Sequence, residues 1–249
     1  MVEKILLKDI YSDCKDGIIR LYFPEEIDGV DPYRHTIVVC PGGGYNHTSR
    51  REGEILALKL LTMGCNAVVL DYTVGVGCYP YPMNELERTL DYLEDKKDEL
   101  KIKSISVMGF SAGGHLAGYV GYTTKHKLHS VILGYPVVTM GNSTHIGSRT
   151  CLLNGQTELY GEMSVENKVT ESSPRTFIYT TVSDDAVPFE NTLLLVQALR
   201  KHKVSFELHA YENGVHGLSL ANSLVATHPN QVNDDVATWT NHLEKFINR

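Results

Sequence analysis

Ser104-Ile-Ser-Val-Met-Gly-Phe-Ser111-Ala-Gly-Gly-His115 is the stretch that decides the architecture. Its first part, Ser104–Met108, is a short, β-branched, apolar run that reads as a strand, and Ala112–Thr123 reads as a helix. Between them Gly109-Phe-Ser111-Ala-Gly113 fits G-x-S-x-G. A chain that leaves a strand, turns sharply and enters a helix holds the middle serine in a strained conformation, so the residues two before and two after it must be small. In that context the Ser111 hydroxyl stands out at the strand end, beside a helix N-terminus that favours developing negative charge. A plain helix N-cap serine is the bland alternative; the strand before and the helix after favour a nucleophile. His115 falls one turn down the helix and is expected to pack beneath the turn rather than to act as a base.

Outward from this turn, further apolar runs read as strands: Ile18–Phe23, Thr36–Cys40, Ala67–Leu70, Ser130–Leu133, Thr176–Thr181 and Val204–His209. Several are continuously apolar, the pattern of a sheet covered on both faces. Helical patterns lie between them at Glu54–Met63, Met83–Leu100, Phe189–Lys201 and Asp234–Ile247; Leu86, Leu90 and Leu93 share one face. Strands alternating with helices predict an α/β fold, a mostly parallel central sheet with helices on both faces, its first runs forming an antiparallel edge. Residues 1–249 read as one domain. Thr139–Ser173 differs in character, being rich in Gly, Ser, Asn and Thr with a short helical hint only near Glu158–Glu166. A long irregular segment inside a domain is usually functional or mobile, and this one is expected to pass over the C-terminal edge of the sheet as a partial lid. A disordered surface loop is the competing reading.

The chain carries a net charge of −7, which argues against a nucleic-acid partner because such partners select a basic face. Cys14, Cys40, Cys65, Cys78 and Cys151 are odd in number and scattered without a C-x-x-C pair, so neither a disulfide framework nor a zinc site is expected. No stretch is long and apolar enough for a membrane span. The first residues, Met1–Ile10, carry acids and lack an apolar run with a cleavage site, so no leader is expected and the location reads as cytoplasmic. Pairing with a second copy, through an exposed sheet edge or the lid segment, is left open.

Chemistry is expected where three further loops meet Ser111. Strand Thr36–Cys40 runs into Pro41-Gly-Gly-Gly44-Tyr45. Consecutive glycines let backbone N–H groups approach a ligand closely, and an oxyanion needs two or more such donors. One is expected from Gly43 or Gly44 and one from Ala112, just after the serine. A flexible turn or a phosphate loop is the alternative, but neither G-x-G-x-x-G nor a G-K-[ST] ending is present. Among eleven histidines, His216 lies in a Gly-flanked loop, Glu212-Asn-Gly-Val-His216-Gly217, after a strand and before the last helix. It is the expected base; His209 falls within a strand, and His202 and His242 on helix surfaces. The acid should follow strand Thr176–Thr181, where Asp184 and Asp185 both qualify and Asp184 is favoured, with capping or a solvated carboxylate as the other reading of Asp185. No metal or organic cofactor is called for.

Taken together, these pieces resemble the compact α/β-hydrolase esterases known as acetyl-xylan-esterase-like or bacterial feruloyl-esterase-like (BD-FAE) carbohydrate esterases, relatives of the hormone-sensitive-lipase type. The resemblance runs from about residue 35 to 220. It rests on Pro41-Gly-Gly-Gly-Tyr45 with Glu52 downstream, Val107–His115, Gly134-Tyr-Pro136, Ser173-Pro174, Asp184-x-x-Val-Pro188 with Glu190-Asn191, and His216-Gly217. It implies the α/β-hydrolase fold, a Ser111–Asp184–His216 triad, an oxyanion hole around Gly43, Gly44 and Ala112, and small acyl esters, often acetylated sugars, as substrates. It also selects Asp184, which fills the D-x-x-V-P slot. Two places depart from the pattern. Thr180-Thr181 stands where His-Thr is common, and Tyr72-Thr73 where Tyr-Arg is common. A serine carboxylesterase for short acyl esters is the reading that follows. A peptidase of the same fold would usually add a gating domain, for which 249 residues leave no room, and a non-catalytic hydrolase-fold binding protein would carry a damaged triad.

Overall fold

The computed structural model describes residues 3–249; Met1 and Val2, at the head of the segment read as lacking a leader, lie outside them. The elements run β1 (Glu3–Leu6), β2 (Ile18–Tyr22), β3 (Arg34–Cys40), α1 (Glu54–Thr62), β4 (Asn66–Asp71), α2 (Tyr81–Asp95), β5 (Ile102–Phe110) and α3 (Ala112–Thr123). They continue through β6 (Ser130–Gly134), α4 (Ile146–Leu153), β7 (Thr176–Thr181), α5 (Glu190–Lys201), β8 (Phe206–Tyr211), α6 (Asp234–Ala237) and α7 (Trp239–Ile247). The strands form one sheet in the order β1-β2-β4-β3-β5-β6-β7-β8. Pairings β1–β2 and β2–β4 are antiparallel and the rest are parallel. This is the α/β-hydrolase fold that the sequence predicts, with its antiparallel edge at the first strands.

Period-two alternation divides the strand side chains between two cores. Val38, Cys40, Val68, Leu70 and Val107 face one layer, with Leu86, Leu90 and Leu93 of α2 and Leu116 and Val120 of α3. Ile37, Val39, Ala67, Val69 and Met108 face the other, with Leu56 and Leu60 of α1 and Trp239, Leu243 and Phe246 of α7. Both faces are covered, so the strands read as unbroken apolar runs. Removing a side chain such as Leu86 or Leu90 from water contributes about 2 kcal/mol each.

The chain order places the site. From β3 the chain goes outward to β4, then returns to the other side of β3 for β5. Loops leaving the C-terminal ends of β3 and β5 therefore diverge, and in an open parallel sheet a crevice forms where the winding reverses. The triglycine loop leaves β3 there and Ser111 leaves β5.

Three local differences from the sequence expectations have physical causes. β1 was not expected: it is a short edge strand with mostly exposed side chains, so it shows no hydrophobic signature. The single helix expected at Asp234–Ile247 is two pieces, because the Thr238 hydroxyl turns back to the Asp235 carbonyl at 2.6 Å. The segment 139–173 is more ordered than expected, with α4 followed by 3-10 turns at Thr157–Leu159 and Val165–Lys168. Gly147, Ser148 and Thr150 are weak helix formers; α4 is held instead by burial of Leu152 and Leu153 and by a cap from the His145 ring. Among the described residues no helix is long and apolar enough to cross a membrane.

Candidate active site

Ser111 occupies φ 54°, ψ −120° between β5 and α3, a conformation costing about 1–3 kcal/mol for a residue with a side chain. Its own backbone holds it there, with the N–H donating to the Gly134 carbonyl and the carbonyl accepting from the Val137 N–H, each at 3.0 Å. The small flanking residues are required by contact. A Cβ on Gly109 would stand 2.0 Å from the Gly113 carbonyl oxygen, and one on Gly113 would stand 2.1 Å from that of Cys40.

The sequence-expected partners converge on this serine. The His216 Nε2 lies 2.8 Å from Ser111 Oγ, and its Nδ1 lies 2.7 Å from Asp184 Oδ2. A carboxylate only accepts, so Nδ1 carries the ring proton and Nε2 is free to accept the hydroxyl proton. The other oxygen of Asp184 accepts the Ala186 and Val187 N–H groups at 2.9 and 2.8 Å. Its side chain is 1% exposed, against 20% for that of His216. Such an arrangement can take a proton from a hydroxyl while it attacks a carbonyl and stabilise the imidazolium that forms.

Asp185 has a part that sequence reasoning missed. It is a solvent-exposed carboxylate, as one sequence reading had it, and its Oδ1 also accepts the backbone N–H of His216 at 3.0 Å. The two adjacent aspartates thus grip one histidine by its ring and by its main chain.

On the opposite wall stands the triglycine loop. Gly42 gives its N–H to the buried carboxylate of Glu52 at 2.7 Å. The N–H groups of Gly43, Gly44 and Ala112 make no hydrogen bond among the described residues. Donors left unspent at the mouth of a helix beside Ser111 suit an oxygen that gains charge. Glu52 also accepts the Tyr135 hydroxyl at 2.5 Å, and the same hydroxyl accepts the Ser219 N–H at 2.9 Å. One buried carboxylate therefore ties the loop after β3 to the loop bearing His216. Tyr72 adds support, its hydroxyl donating to the Pro41 carbonyl at 2.6 Å. Glu52 and Gly134-Tyr-Pro136 could be quoted from the sequence, but their spacing gave no sign that they meet.

His115 packs beneath the turn, fully buried. Its Nε2–H donates to the Met163 carbonyl at 2.6 Å and its Nδ1 accepts the Tyr45 hydroxyl at 2.8 Å, so it joins α3, the triglycine loop and the 139–173 segment. Burial pushes its pKa down to about 4 and keeps the ring neutral. Of the two departures from the family pattern, Thr180 is buried at the end of β7 and Thr73 serves the frame. Thr73 gives its N–H and hydroxyl to the buried carboxylate of Glu85, at 2.6 and 2.5 Å. Thr181 donates its hydroxyl to the Gly214 carbonyl at 3.0 Å, at the base of the His216 loop.

A cleft of about 530 Å³ opens above Ser111, bounded by Gly44, Asn46, Arg51, His216 and, from the 139–173 segment, His145 and Cys151. Away from it, Glu207, His209 and His242 are the one group of metal-capable side chains found among the described residues. Glu207 pairs with His209 at 2.9 Å and Arg249 at 3.0 Å, and the His209 and His242 rings stack at 4.1 Å. Four cysteines are buried, Cys151 is half-buried in the cleft wall, and all five are free thiols.

A serine at a strand–helix turn, at the C-terminal edge of such a sheet, with an imidazole and carboxylate in line, defines the protein as an α/β-hydrolase. The chain belongs to the prolyl oligopeptidase family, whose model matches residues 81–246. It is 33% identical to an endo-1,4-β-xylanase B of Butyrivibrio fibrisolvens, over 77% of this chain and 34% of that protein. It is 27% identical to an acetylxylan esterase of Xylanibacter ruminicola, over 84% of this chain and 46% of that protein. The chain thus spans less than half the length of either curated relative. Among solved structures, it superposes on an acetyl ester-xyloside bifunctional hydrolase from Caldicellulosiruptor lactoaceticus with a TM-score of 0.88 and 31% identity, covering 99% of this chain and 95% of that one. A carboxylesterase from Lactobacillus plantarum gives a TM-score of 0.87 at 25% identity, covering 100% and 97%.

Proposed function

We infer that this protein is a serine carboxylesterase that removes short acyl groups, acetyl above all, from hydroxyl-bearing alcohols such as sugars. The hydrogen-bonded line from Ser111 Oγ through His216 to Asp184 carries the reading. The acetylxylan esterase and acetyl ester-xyloside hydrolase similarities favour acetylated sugars. A cleft of about 530 Å³ lies in the range that holds a small ligand.

In this reading His216 Nε2 takes the Ser111 proton as Oγ adds to the ester carbonyl carbon. The carbonyl π pair moves to oxygen, and the resulting oxyanion is held by N–H groups of Gly43 or Gly44 and Ala112. Each such donor is worth about 3 kcal/mol in comparable enzymes. The tetrahedral intermediate collapses, the alcohol leaves with the proton from His216, and an acyl-serine remains. Water then gives a proton to His216 as its oxygen adds to the acyl carbon, and the second tetrahedral intermediate collapses, releasing the carboxylic acid while His216 returns the proton to Ser111 Oγ. Asp184 keeps the ring in the required tautomer throughout.

The test is a panel of p-nitrophenyl esters and acetylated sugars beside Ser111→Ala. Wild type should cleave acetyl esters and the variant should lose this activity by at least about a thousandfold. Full activity in Ser111→Ala would remove the nucleophile from the account.

The family match favours a second reading, a peptidase. The same groups could attack a peptide carbonyl, and fluorogenic prolyl peptides separate the two. Turnover of such a peptide exceeding that of an acetyl ester would favour the peptidase.

A further inference from the structure

His145 stands where the 139–173 segment meets the cleft, half-buried beside Ser111 and His216. Its ring does two different things on its two edges. Nδ1 caps α4, accepting the Ser148 backbone N–H at 3.2 Å and lying 2.8 Å from the Ser148 hydroxyl. A backbone N–H can only donate, so Nδ1 carries no proton and the neutral ring holds its proton on Nε2. Nε2 has no hydrogen-bond partner among the described residues and is not fully buried, on a ring that lines the cleft. Gly147 leaves room for the ring, since a Cβ there would stand 3.0 Å from its Cε1. The ring is thus fixed by the helix it caps and presents one N–H donor that the fold itself does not use.

In acyl transfer the proton returns from His216 to the leaving oxygen, so the alcohol half of the ester lies on the His216 side. His145 is near enough for the charges of His216 and Asp184 to act on its ring, and burial together with His216 holds its pKa below the ordinary histidine value.

We propose that His145 determines specificity: its Nε2–H donates to an oxygen on the alcohol half of the ester, so the site selects polyhydroxyl or ether-bearing alcohols over bare aryl or alkyl ones. The proposal rests on the serine esterase reading and deepens it. An alcohol without such an acceptor leaves a desolvated N–H unpaired, the kind of mismatch that discriminates between substrates.

The test uses His145→Asn. Asparagine is a strong helix cap, so its carbonyl can accept the Ser148 N–H while the donor toward the cleft is lost. Xylose tetra-acetate and phenyl acetate are compared for wild type and variant. One lost hydrogen bond predicts a fall of about threefold to tenfold in kcat/KM for the sugar ester, carried by KM. For phenyl acetate, the change should stay within about twofold, which also reports an intact fold. An equal fall on both esters would mean that His145 acts through structure or chemistry, and no fall on either that the donor is unused; each result overturns the proposal. So does a wild type that cleaves phenyl acetate but not the sugar ester, which leaves the esterase reading standing. Retained hydrolysis in Ser111→Ala is the separate signature of failure of that underlying reading.

Discussion

The backbone N–H of His216 is held by Asp185 at 3.0 Å, one residue from the carboxylate that holds its ring at 2.7 Å. The two neighbours therefore have separable duties. Asp184→Asn should lower kcat by about ten-thousandfold, because an amide at the ring favours the wrong tautomer. Asp185→Asn removes the charge from a main-chain contact only, and should cost about tenfold. Steady-state kinetics on an acetyl ester measures both; equal losses would refute this division.

Glu52 acts on the site through the backbone that it holds. Its carboxylate fixes Gly42 and, through Tyr135 and Ser219, the histidine loop. Glu52→Gln should reduce kcat by about tenfold to a hundredfold, the worth of a charged hydrogen bond, with little change in KM. A change confined to KM would place Glu52 in substrate binding instead.

Glu85 is fully buried and accepts from the N–H groups of Lys15, Asp16, Gly17 and Thr73 and from the Thr73 hydroxyl. Removing it strands these donors at the C-terminal end of β4. Glu85→Ala should destabilise the fold by about 3–5 kcal/mol, because each buried donor left unpaired costs about 1–3 kcal/mol; a lower urea midpoint is the readout, and an unchanged midpoint would contradict it.

Burial holds His115 and His35 neutral, each with its pKa pushed down to about 4. In the unfolded chain a histidine takes its proton near about pH 6.5. The unfolded state thus binds more protons between these values. The stability from each buried neutral ring is fully present above about pH 6.5, falls as the pH drops toward 4, and is flat below that. His115→Gln should flatten this acid limb by about 1.4 kcal/mol per pH unit, measured by urea titration at several pH values. An unchanged slope would show that His115 is not the titrating group.

A small acyl site predicts that p-nitrophenyl acetate outruns p-nitrophenyl octanoate in kcat/KM. Octanoate far ahead of acetate would transfer the protein to long-chain lipolysis.

Much of this was legible in the sequence because local physics wrote it there. The G-x-S-x-G spacing is forced by backbone contacts at Gly109 and Gly113, and the continuous apolar runs of β3, β4 and β5 follow from two covered faces. What stayed hidden depends on contacts between distant residues. Glu52 meets Tyr135 across a separation of 83 residues, and Glu85 meets Gly17 across 68. Neither pairing leaves a periodicity to read. Helix α4 was missed because its residues disfavour a helix and its cap is a histidine ring. The role of Asp185 turned on which side of a loop its carboxylate faces, which composition does not record.

We propose Ser111 as the nucleophile and His216 as the group that activates it. The most direct measurement is labelling of the native protein with a fluorophosphonate, followed by mass spectrometry of the peptide that contains residue 111. Stoichiometric modification of Ser111 is expected in the native protein, with labelling abolished in Ser111→Ala and strongly slowed in His216→Ala. Modification at another residue, or none while acetyl esters are still hydrolysed, would contradict it.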